Sequence, residues 1–256
     1  ALGAQTAPLV AHALSFRAAL AIGFGTAAVI LAVVALRRRR WALAAGLALV
    51  LAAASVANGA VLLGRGSTAS QPTGELTVAA WNTHGTATAD DIARLVLDTG
   101  ADVVSLPETG AETAADVARI VELEGAPMRA HTTHGATGYS EMPTSLLVAD
   151  ELGEYRMDAG AGSTPALPSG AWVPVDGSGP TLVAAHPIPP LPGSIPAWRT
   201  GMEWIEERCA DAEVIVAGDL NATVDHLSAH LGNCRDAADA AGAAAVGSWP
   251  AFAPSW

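Results

Sequence analysis

The chain has 256 residues, 51% of them hydrophobic, with 13 basic and 25 acidic side chains and a net charge of −12. The basic residues are all arginine, and from Glu75 onward seven arginines face all 25 acidic residues, a net charge of −18. Non-specific binding to a nucleic-acid backbone depends on Lys and Arg, so this charge argues against a general polyanion-binding function. It does not argue against a small phosphate ester that is carried by a metal ion.

Two long uncharged stretches, 18–36 and 41–63, predict transmembrane helices. At 1.5 Å per residue they would span roughly 28 and 34 Å, close to the hydrocarbon core of about 30 Å. Four consecutive arginines at 37–40 separate them and predict a cytoplasmic turn by the positive-inside rule. The alternatives are a pair of buried Ala/Leu helices in a soluble core, and an arginine patch for localisation or nucleic-acid binding.

The domain organisation follows from these features. Residues 1–17 form a short outside segment, and 18–63 form the transmembrane hairpin. Residues 64–75 are rich in Gly, Ser, Thr and Pro, as is typical of a flexible linker. A folded domain is expected over 76–256. This orientation predicts a multi-pass plasma-membrane protein whose C-terminal domain is extracytoplasmic.

The folded domain opens with a strand, a helix and a second strand. Residues 76–82 are β-like and end in Asn82, and 90–98 form an amphipathic helix with Asp90 as its candidate cap. The strand after it delivers Glu108. A strand–helix–strand unit predicts a parallel pair, so Asn82 and Glu108 should lie near each other at one sheet edge. A turn-forming asparagine and an exposed glutamate are the alternatives.

The middle of the chain carries weaker signals. Residues 112–124 predict a helix, and 129–140, which contain His131 and His134, predict a loop rather than a zinc site. His84 is expected to be a surface turn residue. Strands are predicted at 145–148 and 155–157, as the two arms of a hairpin, and at 171–175.

A strand at 180–186 ends in His186, which a proline-rich loop follows. An imidazole with a pKa near 6.5 suits acid–base chemistry, whereas a histidine before proline is also common in loops. Residues 198–209 predict a helix. It leads into an apolar, β-branched run that ends at Gly218 and predicts a buried strand.

Asp219 and Asn221 follow that strand two residues apart. In an extended backbone they would face the same space at a strand end, where α/β folds usually keep their chemistry. The alternative is a strand followed by an Asx-rich turn. Cys209 and Cys234 flank the strand in a segment expected to be extracytoplasmic, so we expect them to form a disulfide. Helical pieces are predicted at 225–231 and 236–241.

The segment Ala-Gly-Asp-Leu-Asn-Ala-Thr at 217–223 resembles the Gly-Asp-Phe-Asn signature of the endonuclease/exonuclease/phosphatase superfamily, the DNase I-like fold. Asn82, Glu108 and His186 occur in the family's order, as does Ser-Trp-Pro at 248–250, which is similar to the family's Thr-Trp-Pro. Glu108 follows Leu-Pro where the family has Leu-Gln. The resemblance implies a four-layer α/β sandwich of two mixed sheets, preceded here by two transmembrane helices, as in bacterial membrane-anchored members.

The resemblance also implies roles for these residues. Glu108 would be the principal ligand of Mg²⁺, with Mn²⁺ or Ca²⁺ as alternatives, and Asp219 would contact the metal and orient or deprotonate the attacking water. Asn82 and Asn221 would bind phosphate or align Asp219. His186 would act as a general acid or contact the phosphate.

The family usually continues past Ser-Trp-Pro to an Asp-His pair. This chain ends at Trp256, and Asp225-His226 lies in the wrong place to replace that pair, so we expect the last strands to be missing. The expected function is a membrane-anchored, extracytoplasmic, metal-dependent phosphoester hydrolase of nuclease, phosphatase or phospholipase type. Its partners would be the membrane and a nucleic acid, phospholipid or small phosphate ester, with no obligate protein partner evident. A catalytically inactive, membrane-tethered binding domain is the alternative.

Overall fold

A computed structural model describes residues 5–37, 42–68, 74–133, 142–210 and 213–249. The chain divides into two compact units. The larger is Thr73–Cys234, and the smaller combines Leu2–Pro72 with Arg235–Trp256.

Helices and strands alternate at both ends of the larger unit, and the described part of its middle has five successive strands with no α-helix between them. Across the described chain the helices are α1 (Pro8–Leu14), α2 (Arg17–Arg37), α3 (Ala42–Arg65), α4 (Ala89–Thr99), α5 (Ala111–Leu123), α6 (Ile195–Arg208), α7 (Val224–Leu227) and α8 (Ala237–Ala241). The strands are β1 (Val78–Ala80), β2 (Val103–Pro107), β3 (Met128–Thr132), β4 (Thr144–Ala149), β5 (Tyr155–Met157), β6 (Gly170–Pro174), β7 (Thr181–Ala185) and β8 (Val214–Gly218).

The first sheet has the order β1-β2-β4-β3. β1 and β2 pair in parallel, as predicted, and the other pairs are antiparallel. Every residue of β2 is buried because both faces of this strand are covered. Val104 and Leu106 pack in one core with side chains of α4 and α5. Val103 faces the opposite core, between the sheets.

The second sheet has the order β5-β6-β7-β8, with β7 and β8 parallel and the other pairs antiparallel. Trp172 and Leu182 from this sheet pack against Val103, Leu146 and Val148 of the first. The predicted fold class, an α/β sandwich of two mixed sheets, is therefore confirmed.

α4 begins one residue before the predicted helix because its cap is Thr88 rather than Asp90. The Thr88 hydroxyl accepts from Asp91 N, and the Asp91 carboxylate accepts from Thr88 N, which together make a capping box. Gly100, in the left-handed conformation, ends the helix.

Other sequence predictions for the secondary structure of the larger unit were also wrong. The predicted loop at 129–140 begins as strand β3, because its backbone pairs antiparallel with β4. Residues 134–140, including His134, lie outside the described part. β4 and β5 do not form a hairpin, since they belong to different sheets. β8 is only half-buried, because it is the end strand of its sheet.

The smaller unit contains two long apolar helices, α2 and α3, which are long and apolar enough to cross a membrane by length and composition. They are joined by hydrogen bonds from Arg17 Nη1 to Asn58 Oδ1 at 3.0 Å and from Ser55 Oγ to Ala21 O at 2.6 Å. Of the predicted arginine turn, Arg37 ends α2, and the rest lies outside the described residues.

Candidate active site

The polar side chains picked out in the sequence meet where four strands end. β1 and β2 are parallel in one sheet and β7 and β8 in the other, so each pair delivers its following residues to one edge. Those residues are Asn82, Glu108, His186 and Asp219. A hydrogen bond from Asn82 Nδ2 to Asp219 Oδ2, 2.9 Å long, links the two sheets at this edge.

The amide of Asn82 lies between two carboxylates. Its Nδ2 donates to Glu108 Oε1 at 3.0 Å and to Asp219 Oδ2 at 2.9 Å. Its Oδ1 accepts from His84 N at 2.9 Å. Because a backbone N–H can only donate, this bond fixes which end of the amide faces the carboxylates. Asn82 therefore holds Glu108 and Asp219 on one side of the site.

Glu108 occupies a strained backbone position directly after β2. Its φ is +61°, a left-handed conformation that costs a residue with a side chain about 1–2 kcal/mol. The side chain is only 11% exposed. Its Oε2 atom is enclosed and accepts no hydrogen bond within the described residues. A buried carboxylate oxygen without a donor is costly, so this atom marks a place where a cation fits.

Gly218 sets the position of Asp219. Its φ is +150°, and a Cβ at this position would overlap the backbone carbonyl group of Ala185, its partner on β7. Only glycine lets β8 approach β7 so closely at the residue before the carboxylate.

Asn221 turns the chain back toward Asp219. Its N–H donates to Asp219 Oδ1 at 3.0 Å, and its φ is +44°, so the segment is an Asx turn and not the extended backbone predicted. Asn221 Nδ2 donates to Pro187 O at 3.0 Å, and Trp198 Nε1 donates to Asn221 O at 3.1 Å. The local geometry is therefore that of the alternative interpretation, a strand followed by an Asx-rich turn. This turn still positions the Asp219 carboxylate.

His186 lies beneath Glu108. Its side chain is 1% exposed, and Nε2 is 3.6 Å from Glu108 Oε1. Within the described residues neither ring nitrogen has a hydrogen-bond partner. Burial lowers the pKa of His186, although the charges of Asp219 and Glu108 oppose this effect. The imidazole is therefore neutral near pH 7.

His84 is a site residue that the sequence analysis missed. Its side chain is 83% exposed, as expected of a surface turn, and its φ is +50°. Its Nδ1 atom is nevertheless 3.4 Å from Glu108 Oε2, the carboxylate oxygen that lacks a donor. The signal was available, because Asn82 and His84 have the same i, i+2 spacing that drew attention to Asp219 and Asn221.

The donor set fits a hard divalent cation. No group of three or more His, Cys, Asp or Glu capable of holding a metal is found within the described ranges. The Glu108 and Asp219 carboxylates at this edge would supply the ligand oxygens, the Asn82 Nδ2 group orients both of them, and the His84 imidazole lies beside Glu108. Mg²⁺ is commonly held by one or two carboxylates, with water and substrate oxygens completing its shell.

The other predicted residues lie apart from the carboxylates. Cys209 and Cys234 form a disulfide with their Cα atoms 5.2 Å apart, and the segment between them contains β8. His226 Nδ1 accepts from Thr223 N at 2.9 Å, and its ring packs edge-on against Trp198. These contacts give His226 a structural role at the start of α7.

Solved structures that resemble the chain include two TDP2 proteins. A truncated TDP2 from Caenorhabditis elegans is 13% identical with a TM-score of 0.42, and the match covers 59% of this chain and 64% of that one. A humanized D. rerio TDP2 with 14 mutations is 15% identical with a TM-score of 0.44, and the match covers 62% of this chain and 67% of that one. The chain thus spans 64% and 67% of the lengths of these two relatives.

A comparison with curated proteins finds no match. The model of the Endonuclease/Exonuclease/phosphatase family matches residues 79–256, which include Asn82, Glu108, His186 and Asp219. This chain therefore belongs to the Endonuclease/Exonuclease/phosphatase family.

Proposed function

We propose that this chain is a membrane-anchored, extracytoplasmic hydrolase of phosphoesters that depends on a divalent metal ion. The observation that supports the proposal is the pairing of Glu108 and Asp219 on one amide, beside an enclosed Glu108 oxygen that accepts no hydrogen bond within the described residues. Two carboxylates this close repel each other unless a cation or a shared donor offsets their charges.

Glu108 and Asp219 would hold the metal, which we take to be Mg²⁺, with Mn²⁺ or Ca²⁺ as alternatives. When bound, such an ion neutralises phosphoryl oxygen charge and stabilises the charge that develops on the leaving oxygen. Glu108 suits this role because its Oε1 is held by Asn82 Nδ2 while Oε2 stays free of donors within the described chain.

Asp219 would orient the attacking water and take its proton. Both of its oxygens are anchored, Oδ2 by Asn82 Nδ2 and Oδ1 by the N–H of Asn221. A carboxylate that is held at both oxygens keeps one orientation, which limits where it can hold a water molecule. The water oxygen then bonds to phosphorus as the ester P–O bond breaks. In this arrangement Asn82 and Asn221 align Asp219.

His186 would act through Glu108. A ring that is 1% exposed has no opening toward a leaving group within the described residues. Its Nε2 is close enough to Glu108 Oε1 to limit where that carboxylate can move. This positioning role differs from the two roles that the family resemblance implies, which are general acid and phosphate contact.

The substrate class remains a phosphoester of nucleic-acid, phospholipid or small-molecule type. The net charge of −18 from Glu75 onward favours a lipid or small ester over a polyanion, because a nucleic-acid backbone would be repelled. Membrane anchoring is supported by α2 and α3, two long apolar helices in which only a few side chains are buried within the structure. An all-apolar helix in the core of a soluble protein would instead have most of its side chains buried.

The test is hydrolysis of bis-p-nitrophenyl phosphate by the full chain in detergent micelles, with Mg²⁺, Mn²⁺, Ca²⁺ or EDTA. We expect metal-dependent turnover that Glu108→Gln abolishes and that Glu112→Gln, an exposed glutamate at the start of α5, leaves unchanged. A reporter fused after Trp256 that is active only outside the cytoplasm tests the orientation.

Turnover that persists in EDTA or in Glu108→Gln would refute the metal assignment. A folded chain that binds Mn²⁺ without hydrolysing any phosphoester would instead support the alternative, a catalytically inactive, membrane-tethered binding domain.

A further inference from the structure

Four hydroxyl side chains connect the ends of the first sheet's strands to the backbone of Glu108. We call them the hydroxyl row. Thr83 Oγ1 lies 2.9 Å from Thr109 Oγ1, and Thr132 Oγ1 lies 2.8 Å from Ser145 Oγ. Ser145 Oγ donates to Thr109 O at 2.8 Å, which joins the two pairs. Thr83, Thr109 and Ser145 are buried.

Each hydroxyl has one hydrogen to donate, so the directions can be assigned. Ser145 donates to Thr109 O and therefore accepts from Thr132. Thr83 Oγ1 is 3.1 Å from Glu108 O and 3.4 Å from Pro107 O; when it donates to the nearer oxygen, it accepts from Thr109 Oγ1. Both the Glu108 and the Thr109 carbonyl groups then receive a buried hydroxyl.

These two carbonyls directly follow the strained part of the backbone. Glu108 has a φ of +61°, and a residue held in such a conformation persists only where its surroundings over-determine it. The N–H of Thr83 also donates to Pro107 O at 3.2 Å. Thr83 therefore contacts the carbonyl groups on either side of the Glu108 φ bond, those of Pro107 and of Glu108 itself. Its neighbour Asn82 holds the carboxylate of the same residue.

We propose that Thr83 and Thr109 are positioning residues that fix the Glu108 carboxylate for metal binding, with Thr83 the more important of the two. This inference rests on the proposed function, since it takes Glu108 to be a metal ligand. Thr83→Val removes two hydrogen bonds, the one from Thr83 Oγ1 to Glu108 O and the one from Thr109 Oγ1 to Thr83 Oγ1. Thr109→Val removes only the second of these. The loss of metal affinity should therefore be larger for Thr83→Val.

The chain provides a matched control in Thr144, a buried residue of β4. Its hydroxyl has no hydrogen-bond partner within the described residues, so Thr144→Val removes an equivalent group without breaking a contact to Glu108. Thr83→Ser keeps the hydroxyl and tests rescue. All variants are made in the full chain in detergent, and their folding is checked by near-ultraviolet circular dichroism and thermal unfolding.

The readout is the Kd for Mn²⁺ by isothermal titration calorimetry, which needs no turnover. We expect Thr83→Val to weaken binding by about 10- to 100-fold, the usual effect of losing an outer-shell partner of a metal ligand. Thr109→Val should weaken it less, and Thr83→Ser and Thr144→Val should bind as the wild type does. If Thr83→Val fails to fold, the other three variants still decide the question. Thr109→Val should then bind Mn²⁺ more weakly than Thr83→Ser and Thr144→Val do.

Wild-type affinity in a folded Thr83→Val, or equal losses in Thr109→Val and Thr144→Val, would overturn this inference and leave the proposed function standing. A wild-type chain that binds no Mn²⁺ would overturn both.

Discussion

Asn82 and Asp219 are 137 residues apart in the chain and follow strands of different sheets, and a hydrogen bond of 2.9 Å connects them. The same Asn82 Nδ2 also donates to Glu108, so one amide sets the separation of both carboxylates. Removing the Asn82 amide leaves the Glu108 and Asp219 carboxylates facing each other without a hydrogen-bond donor between them.

We therefore expect Asn82→Ala to reduce kcat/KM for a phosphodiester by about 10- to 100-fold and to weaken Mn²⁺ binding, because both carboxylates lose their fixed orientation. Asn233→Ala is the matched control. It also removes one amide hydrogen bond, from Asn233 Nδ2 to Ala210 O, in the disulfide-closed segment. Equal activity in the two variants would contradict the role given to Asn82.

Gly218→Ala should destabilise the larger unit by more than about 3 kcal/mol, because the added methyl group overlaps the Ala185 carbonyl and forces β7 and β8 apart. Gly177→Ala is the control for the backbone cost alone. Gly177 has a φ of +75° and open space around it, so an added methyl group there meets no neighbouring atom of the described residues. That control should lose about 1–2 kcal/mol, the cost of the left-handed conformation. Urea unfolding of both variants is the measurement, and similar losses would show that the close approach is unimportant.

Replacing both cysteines with serine should lower the free energy of unfolding by about 3 kcal/mol, the loop-entropy value for a closed segment of this size. The disulfide joins residues 25 apart in sequence. Chemical denaturation with and without a reductant gives the difference for the wild type, and the double variant should not respond to the reductant. A reductant effect that persists in the double variant would have another origin.

Stability should fall in mildly acid solution because of His131. Burial, and to a smaller extent the charge of Arg129, lowers the pKa of His131 below its ordinary value of 6.5. A depressed folded-state pKa means that the unfolded chain takes up the proton first, so stability is full above pH 6.5 and is lost as the pH falls toward the folded-state value.

We expect His131→Gln to lose less stability than the wild type between pH 7 and about pH 5. Urea titrations followed by tryptophan fluorescence measure this, since the His131 ring lies 6.1 Å from that of Trp172. Parallel pH profiles in the two proteins would assign the acid sensitivity to other groups.

The strand ends that carry the site could be predicted because their signals are local. Apolar, β-branched runs that stop at a polar residue place Glu108, His186 and Asp219 at strand ends, and the helix between two strands predicts the parallel pair. The structure confirms that pair and the fold class.

What the sequence could not supply were relations between distant segments. β3 looks like a loop because Arg129 and His131 are polar, and its pairing with β4 is visible only in three dimensions. The sharing of Asn82 between two sheets depends on how the sheets stack, which no periodicity encodes. His84 was within reach of the i, i+2 argument, but its closeness to Glu108 depends on two left-handed backbone positions that sequence reasoning did not anticipate.

The disulfide between Cys209 and Cys234 makes the segment that bears Asp219 and Asn221 a covalent ring. A protease that cuts once inside this ring opens the backbone without releasing either fragment. Such a nick would be invisible on a non-reducing gel and would appear as two bands after reduction. A chain cut there therefore keeps both fragments joined covalently, whereas in a reducing compartment only non-covalent contacts, such as the pairing of β8 with β7, would hold them together.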